Sequence, residues 1–132
     1  MQAHALPIHN NKLLLIQRDN KSEIPYPNCW GLIGGRSAGD ETPEQTLQRK
    51  FEEETKVKPK NFQYMMKWPG KETHVFFVAL TDEEVSQLQL GNEGQALQFF
   101  NIDEVEHLPL AGTFGKEFHN YRSLLSDLSQ TA

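Results

Sequence analysis

An acidic helix that directly follows a pair of glycines constrains this chain more than any other feature of its sequence. Thr42 suits a helix N-cap, Pro43 suits the first helical position, and Gln45 stands where a capping box places Glu or Gln. A helix is therefore predicted from Pro43 to about Val57, ending before Pro59. The paired glycines before it indicate a backbone that turns with positive φ or closely approaches another group.

Four of the charges of this helix fall on one arc of its surface. At about 100° per residue, Leu47 and Phe51 share the packing face. Four charged residues lie beside that face within an arc of about 140°, and they are Arg49, Lys50, Glu53 and Glu54. Hard divalent cations prefer carboxylate and carbonyl oxygens, so two converging carboxylates can hold one such ion. The alternative is a solvated helix face, the usual role of consecutive glutamates.

The spacing of the acidic residues resembles the Nudix box. That family's pattern is Gly-x5-Glu-x7-Arg-Glu-U-x-Glu-Glu-x-Gly-U, where U is a bulky aliphatic residue. The matching positions are Gly35, Glu41, Arg49, Glu53 and Glu54, with Phe51 and Val57 as looser matches. Lys50 stands where the family has a glutamate that binds metal or serves as the base in many members. Lys56 replaces the family's final glycine, which removes a favoured helix C-cap.

The resemblance extends beyond the box, to about residues 12 to 110. The segment from Arg18 to Gly35 is similar to the approach strand and loop of a Nudix subgroup. Glu93-Gly94-Gln95 and the following Phe99-Phe100 are similar to the later catalytic loop and strand of the family.

This resemblance implies a fold and a chemistry. The implied fold is α/β, a Nudix-type α/β/α sandwich with a mixed central β-sheet, and we expect one domain over residues 1–132. The implied reaction is hydrolysis of a pyrophosphate linkage in a nucleoside diphosphate derivative or nucleoside triphosphate, with Mg²⁺ or Mn²⁺ as cofactor. Because Lys50 weakens metal binding, a nucleotide-binding or regulatory module of the same fold is the second hypothesis. The third is a mixed α/β interaction domain whose acidic helix only mimics the box.

The resemblance also implies a metal site. Its predicted ligands are the Gly34 carbonyl and the side chains of Glu53, Glu54 and Glu41. Glu41 is expected either to stabilise the loop or to join a second metal shell. An equally weighted alternative is that a glutamate just before a helix suits the positive end of the helix dipole. Arg49, one turn before Glu53, is expected to orient the box glutamates through charge-assisted hydrogen bonds, or else to form an ordinary surface ion pair.

Glu93 is predicted as the general base, because Lys50 removes the carboxylate that usually serves. Glu53 and Arg49 complete the predicted catalytic set. The alternative for Glu93 is a solvated acid in a flexible loop. Arg18, Arg36 and Lys50 are the predicted substrate-binding residues, since each cation can reach a phosphate.

Aromatic residues, histidines and the cysteine give weaker evidence for functional roles. Tyr26, Trp30 and Phe114 are candidates to stack a nucleotide base, although packing is the more frequent role of such side chains. The five histidines show no metal-ligand spacing. Cys29 is the only cysteine and has no intramolecular disulfide partner.

Charge and hydropathy limit the partners. A net charge of −5 with a pI near 5.5 argues against binding DNA or RNA, which needs a basic surface. A small nucleotide-like substrate remains compatible, through bound cations. No apolar run approaches 18 residues and no signal peptide is apparent, so no membrane partner and a cytoplasmic location are expected. The oligomeric state is not set by the sequence.

Patterning predicts the remaining elements. Apolar Leu13–Ile16 is a buried strand that can form a hairpin with residues 1–8, while the two prolines of Ile24–Pro27 predict a loop. Further strands are predicted at Phe62–Trp68, His74–Leu80 and Ala96–Ile102, and helices at Asp103–His107 and Phe114–Leu128.

Overall fold

The computed structural model describes residues 1–131, and its first two strands form the predicted hairpin. Strand β1 (Gln2–His9) and strand β2 (Lys12–Gln17) run antiparallel. Asn10 and Asn11 join them with φ of 49° and 65°. Two successive positive φ angles define a turn whose twist matches that of the flanking strands, and asparagine tolerates this conformation well.

The two hairpin strands stay paired only beside their turn, at Ile8 with Leu13 and at His9 with Lys12. Beyond that point strand β3 (Trp30–Gly31) pairs with β2, and strand β4 (Ile33–Arg36) pairs with β1. The sequence analysis compared the segment up to Gly35 with an approach strand and loop and did not divide it. The structure has two short strands here, because the segment crosses at Leu32 from β2 to β1.

The other strands complete a mixed sheet of seven. Strand β6 (Thr73–Ala79) pairs with β1 in parallel along nearly its whole length, and strand β5 (Phe62–Lys67) lies antiparallel to β6. Strand β7 (Ala96–Asn101) lies antiparallel to β2. The mixed central sheet predicted from the sequence is confirmed.

Within the described residues, four helices follow or flank the strands. Helix α1 (Pro43–Thr55) begins with the predicted capping box of Thr42 and Gln45 and ends at Lys56, whose φ of 66° is left-handed. The others are α2 (Asp82–Ser86), which the sequence analysis missed, α3 (Ile102–Val105) and α4 (Gly112–Thr131). The side chains of Tyr121 and Leu128 lie outside the described residues. None of the helices among residues 1–131 is long and apolar enough to cross a membrane.

Helices α1 and α4 cover opposite faces of the sheet, as expected for an α/β/α sandwich. The cluster on the α1 face includes Ala3, Ala5, Leu14, Leu47 and Phe51, and all five are at most 1% exposed. The cluster on the α4 face includes Leu6, Ile8, Leu13, Phe118 and Leu125. Successive residues of β1 and β2 therefore pack on opposite faces, as strand geometry requires. The point where these two strands diverge holds the candidate site.

Candidate active site

Arg49 is the centre of a hydrogen-bond network on α1. Its Nε donates to Glu41 Oε2 over 2.7 Å, and its Nη1 donates to Glu53 Oε1 over 2.9 Å. Its Nη2 donates to Glu41 Oε1 and to the Arg36 carbonyl. Paired charges of this kind hold a guanidinium in one orientation. Arg49 thus fixes the carboxylate of Glu53 and the end of β4 in one arrangement.

Glu41, just before α1, is the second carboxylate that Arg49 binds. The Ala38 N–H and the Thr46 hydroxyl also donate to its Oε1, over 2.7 and 3.0 Å. Hydrogen bonds from Arg49, and then from Ala38, lower the pKa of Glu41 to about 2. Both of its oxygens thus bind the loop and the helix, which matches the loop-stabilising alternative. A metal-binding role for Glu41 stays a prediction that this geometry does not favour.

Lys50 lies among the acidic residues of the box. Its Nζ is 3.3 Å from Glu53 Oε2. Its stem crosses Gly35 so closely that a Cβ there would lie 2.6 Å from Lys50 Cε. The hydrogen bond from Arg49, with further contributions from Lys50, lowers the pKa of Glu53. An internal ammonium therefore neutralises part of the acidic cluster.

Glu54 is the half-buried member of the acidic pair. The Gly34 N–H donates to its Oε2 over 3.1 Å. Burial raises the pKa of Glu54 to about 7, aided by nearby Glu93 and Glu53 and opposed by Lys50 and the Gly34 hydrogen bond. Gly34 has φ of 147°, and a Cβ there would lie 2.2 Å from the Ala3 carbonyl oxygen. Only glycine fits at this close approach of β4 to β1.

The loop that carries Glu93 docks on the C-terminal end of α1. The Gln89 and Gly91 N–H groups donate to the carbonyls of Thr55 and Glu54, over 2.9 and 3.0 Å. These carbonyls have no partner within the helix, so the loop satisfies them. A Cβ on Gly91 would lie 2.1 Å from the Glu53 carbonyl oxygen. The tight docking brings Glu93 and Glu54 to the same cavity.

Two cavities share Arg18 and Gly34 in their walls and differ in the charges of their lining residues. The first, of about 300 Å³, is called the acidic cavity because it holds Glu54 and Glu93. Its charged lining residues are three anions and three cations: Asp19, Glu54, Glu93, Arg18, Lys21 and Lys50. The basic cavity, of about 470 Å³, opens on the α4 side, and its charged lining residues are Arg18, Arg36 and Lys71. Within the described part of the chain, no Asp or Glu lines the basic cavity. A cleft of this size is typical of small-molecule sites.

The donor set fits one hard divalent cation. Among residues 1–131 no group of three or more His, Cys, Asp or Glu side chains is arranged to hold a metal ion. Mg²⁺ is usually bound by only one or two carboxylates plus substrate phosphates, so Glu53 and Glu54 suffice. Burial, and then nearby Glu93 and Glu53, raise the pKa of Glu54, and a bound cation would favour its ionised form. Carboxylate oxygens have two lone pairs each, so Glu53 can keep its ion pairs and still bind a metal.

The aromatic candidates are divided between the basic cavity and the core. Tyr26 and Phe114 line the basic cavity. Trp30 instead packs edge-on against Phe100 in the core, with ring centroids 4.9 Å apart. The sequence analysis missed Trp68, which lines the cavity as well.

The sequence analysis also missed two polar residues at the start of β1, Gln2 and His4, which line the basic cavity. They occupy the strand face that further along carries buried Leu6 and Ile8. The change from polar to apolar residues along this face of β1 is the sequence signal that could have identified them.

Comparisons with known proteins agree with this geometry. The model of the family described as NUDIX domain matches residues 2–120. An ADP-ribose pyrophosphatase of Methanocaldococcus jannaschii is 30% identical over 104 residues, and the match spans 75% of this chain but only 60% of that relative.

Two solved structures share the fold. The NUDIX domain of Shewanella oneidensis NrtR complexed with ADP ribose has a TM-score of 0.68 at 22% identity, covering 98% of this chain and 85% of that one. A bifunctional NMN adenylyltransferase/ADP ribose pyrophosphatase of Francisella tularensis, complexed with AMP and a Mn ion, has a TM-score of 0.67 at 18% identity. That match covers 96% of this chain and 41% of the other.

Proposed function

This chain belongs to the Nudix family, and from that premise we propose that it is a divalent-metal-dependent pyrophosphohydrolase of a nucleoside diphosphate derivative. The observation that carries the proposal is the pairing of Glu54 with Glu93 at one cavity, beside Glu53 and next to cationic side chains. Such a site neutralises a pyrophosphate from two sides, by a bound cation and by arginine or lysine.

We assign the cation to Glu53, Glu54 and the Gly34 carbonyl. A divalent ion bound there supplies positive charge to the phosphate oxygens of the substrate. Arg49 holds Glu53 in place, and the Gly34 N–H holds Glu54. The acidic side chains are thus already oriented before substrate arrives, which lowers the cost of binding.

Glu93 is the proposed general base. Water attacks one phosphorus, the bridging P–O bond breaks, and Glu93 accepts the proton that the water loses. Lys50 and Arg18 line the same cavity as Glu93, and they can bind the phosphate oxygens as charge develops. Arg36 lies in the basic cavity, where it can contact the group linked to the diphosphate.

ADP-ribose is the first substrate to test. The curated relative is an ADP-ribose pyrophosphatase, and one structural neighbour is complexed with ADP ribose. The basic cavity has room for a nucleoside or sugar, and Tyr26, Trp68 and Phe114 line it.

A product panel tests the activity. The purified protein is incubated with ADP-ribose, nucleotide sugars, dinucleoside polyphosphates and nucleoside triphosphates, with Mg²⁺, with Mn²⁺ or with chelator, and products are separated by chromatography. We expect cleavage of the pyrophosphate bond of at least one substrate, only with metal. Loss of at least about tenfold in turnover is expected for Glu53→Gln and Glu54→Gln, because an amide does not neutralise a hard cation.

Two further variants sharpen the test. Glu93→Gln should lower kcat by about 10²-fold or more with little change in KM, because a base acts in the transition state. Glu52→Gln is the matched control, since this exposed glutamate of the same helix lines neither the acidic nor the basic cavity. Equal turnover in Glu52→Gln, Glu53→Gln and Glu54→Gln at limiting Mg²⁺ would remove the proposed metal site.

One observation favours the second hypothesis, a nucleotide-binding module. Both carboxylate oxygens of Glu53 form ion pairs, with Arg49 and with Lys50, so less charge remains for a metal. A binding module would bind ADP-ribose in calorimetry and release no product with any metal in the panel.

A further inference from the structure

Gln95 lies where two loops of the candidate site meet. The first is the Glu93 loop, residues 89–95, which precedes β7, and the second is the Arg18 loop, residues 18–29, which joins β2 to β3. The Gln95 N–H donates to the Gln17 carbonyl over 2.9 Å, just beyond the last residue pair of β2 and β7. The backbone of Gln95 is therefore held beside the point where the Arg18 loop leaves β2.

The side-chain amide of Gln95 binds both ends of the Arg18 loop. Its Nε2 donates to the Arg18 carbonyl over 2.8 Å and to Asn28 Oδ1 over 2.6 Å. A main-chain carbonyl oxygen can only accept, so this contact requires the donating end of the amide to face the loop. Asn28 is itself joined to the start of the loop, because its N–H donates to the Asp19 carbonyl over 3.2 Å. Gln95 thus holds together the two chain segments that form the stem of the Arg18 loop.

The Arg18 loop contributes to the walls of both cavities. Arg18 lines the acidic and the basic cavity, and its Nε donates to the Pro25 carbonyl over 2.9 Å. Lys21 and Ile24 line the acidic cavity, whereas Pro25 and Tyr26 line the basic cavity. A shift of the stem of this loop would therefore displace the Arg18 guanidinium together with part of each wall.

Glu93 lies midway between two anchors of its own loop. Two residues before it, Gly91 packs against α1, and its N–H donates to the Glu54 carbonyl over 3.0 Å. Two residues after it, Gln95 is bound to the stem of the Arg18 loop. The first anchor alone would leave the chain free to rotate about Gly91, and the second restricts Glu93 to the region between them.

We propose that Gln95 is a positioning residue, which holds the Glu93 loop and the Arg18 loop together and so fixes the general base relative to a phosphate-binding cation. This inference rests on the proposed function, which gives Glu93 and Arg18 those roles. Both residues line the acidic cavity, whereas Gln95 lines neither cavity. Gln95 therefore acts through these two residues and not by contact with the substrate.

Gln95→Glu tests the role of the amide, because it keeps the shape of the side chain and removes the donor. A carboxylate cannot donate to the Arg18 carbonyl, so this contact becomes repulsive. With ADP-ribose and Mg²⁺, we expect kcat to fall by about tenfold or more, since a displacement of about 1 Å misplaces a base, and KM to rise by about threefold or more. Gln98→Glu is the matched control and should leave both constants unchanged, because this exposed glutamine of β7 lines neither cavity.

Two double variants separate positioning from a general effect on the fold. In a Glu93→Gln background, Gln95→Glu should change kcat by less than about twofold, because the base that it positions is already absent. In an Arg18→Met background, which keeps the Arg18 carbonyl, Gln95→Glu should change KM by less than about twofold while still lowering kcat. Equal factors in the wild type and in both backgrounds would show a purely structural role and overturn the inference. Wild-type kcat and KM in Gln95→Glu itself would overturn it as well.

Hydrogen exchange followed by mass spectrometry tests the contact without any substrate. Peptides that cover residues 18–29 and 89–95 should both exchange faster in Gln95→Glu than in the wild type, whereas a peptide from β6 should not. Unchanged exchange in either loop would overturn the inference. If the wild type hydrolyses no substrate of the panel but both loops exchange faster in Gln95→Glu, the proposed function fails while the coupling of the two loops stands.

Discussion

At the scale of single residues, the ionised form of Glu54 that the proposed metal site needs is also the form that lowers the stability of the fold. The half-buried carboxylate lies near Glu93 and Glu53, and burial raises its pKa to about 7. Because this pKa lies above the unfolded value of 4.5, ionisation of Glu54 costs the fold free energy. The contribution of the protonated group is fully present below pH 4.5 and is lost as pH rises through about 7.

Glu54→Gln should therefore stabilise the metal-free protein while removing activity. A neutral amide avoids a charging cost of at most about 3 kcal/mol, so the free energy of unfolding at pH 8 should rise by a fraction of that value. At pH 4 the difference should nearly vanish. Urea unfolding at the two pH values in the presence of a chelator measures it. A variant less stable than the wild type at pH 8 would contradict the burial argument.

We expect Lys50 to limit how much metal the proposed site holds. Its ammonium lies 3.3 Å from Glu53 Oε2, where it competes with a cation for that carboxylate. We expect Lys50→Glu to tighten the binding of Mg²⁺ or Mn²⁺ by about tenfold or more and to increase the number of ions bound. The reason is that a side chain that repels the cation is replaced by one that attracts it. If metal occupancy limits turnover, the rate rises; if Lys50 binds phosphate, substrate affinity falls instead.

Metal titration calorimetry with a non-hydrolysable substrate analogue tests the role of Lys50. Lys50→Gln separates loss of the positive charge from gain of a carboxylate, and Lys58→Glu controls for overall charge at an exposed position. Identical metal affinity and stoichiometry in the wild type and Lys50→Glu would show that the ion pair with Glu53 is irrelevant to metal binding.

The sequence indicates some of these residues and hides others for a geometric reason. Lys50, Glu53 and Glu54 lie on one helix, so a helical wheel predicts their proximity. His4 meets Gly34 only through the register of β1 and β4, which no local pattern specifies. The proximity of Glu93 likewise depends on a loop that docks from a distant part of the chain.

At the scale of elements, capping chemistry made α1 predictable, whereas β3 and β4 depend on their partners. The box of Thr42 and Gln45 is a local signal, and the helix starts where that signal places it. The segment from Trp30 to Arg36 divides at Leu32 because β1 and β2 diverge, an event determined elsewhere in the sheet. Helix α2 was missed although Thr81 and Glu84 form a second capping box.

The loop after α2 is positioned by one glycine. Gly91→Ala should cost about 1–3 kcal/mol, because its Cβ would overlap the Glu53 carbonyl. It should also lower kcat roughly tenfold or more, since displacement of Glu93 by about 1 Å is enough to misplace a base. Gly70→Ala is the control, because its site is open but has φ of 71°. It should lose stability without losing kcat. Equal kcat in Gly91→Ala and the wild type would show that the docked loop does not position the base.

At the scale of the whole molecule, one sheet joins both cores and the site. Strand β1 contributes Ala3 and Ala5 to the core under α1, Leu6 and Ile8 to the core under α4, and His4 to the cavity wall. Patterning along the chain predicted the strands and helices and a mixed sheet covered by helices, while the resemblance to the Nudix box predicted the α/β/α layering. Because the site lies between diverging strands of the same sheet, its ligands should stabilise the molecule as a unit.

Metal binding should therefore raise the melting temperature of the whole protein. Saturation at about 100 times Kd adds about 2.7 kcal/mol of stability, which corresponds to roughly 10 °C for a domain of this size. The gain should be larger at pH 8 than at pH 6, because Glu54, with its pKa of about 7, must lose its proton before it binds a cation.

Scanning calorimetry with Mg²⁺ or chelator at both pH values measures this gain. The Glu52→Gln variant should keep it and the Glu54→Gln variant should lose most of it, since Glu54 lines the acidic cavity and Glu52 does not. Far-UV and near-UV circular dichroism should report the same midpoint, because both cores share β1 and β2. A gain equal at pH 6 and pH 8 would show that the cation binds away from Glu54, and the metal site would then have to be sought among other oxygen ligands.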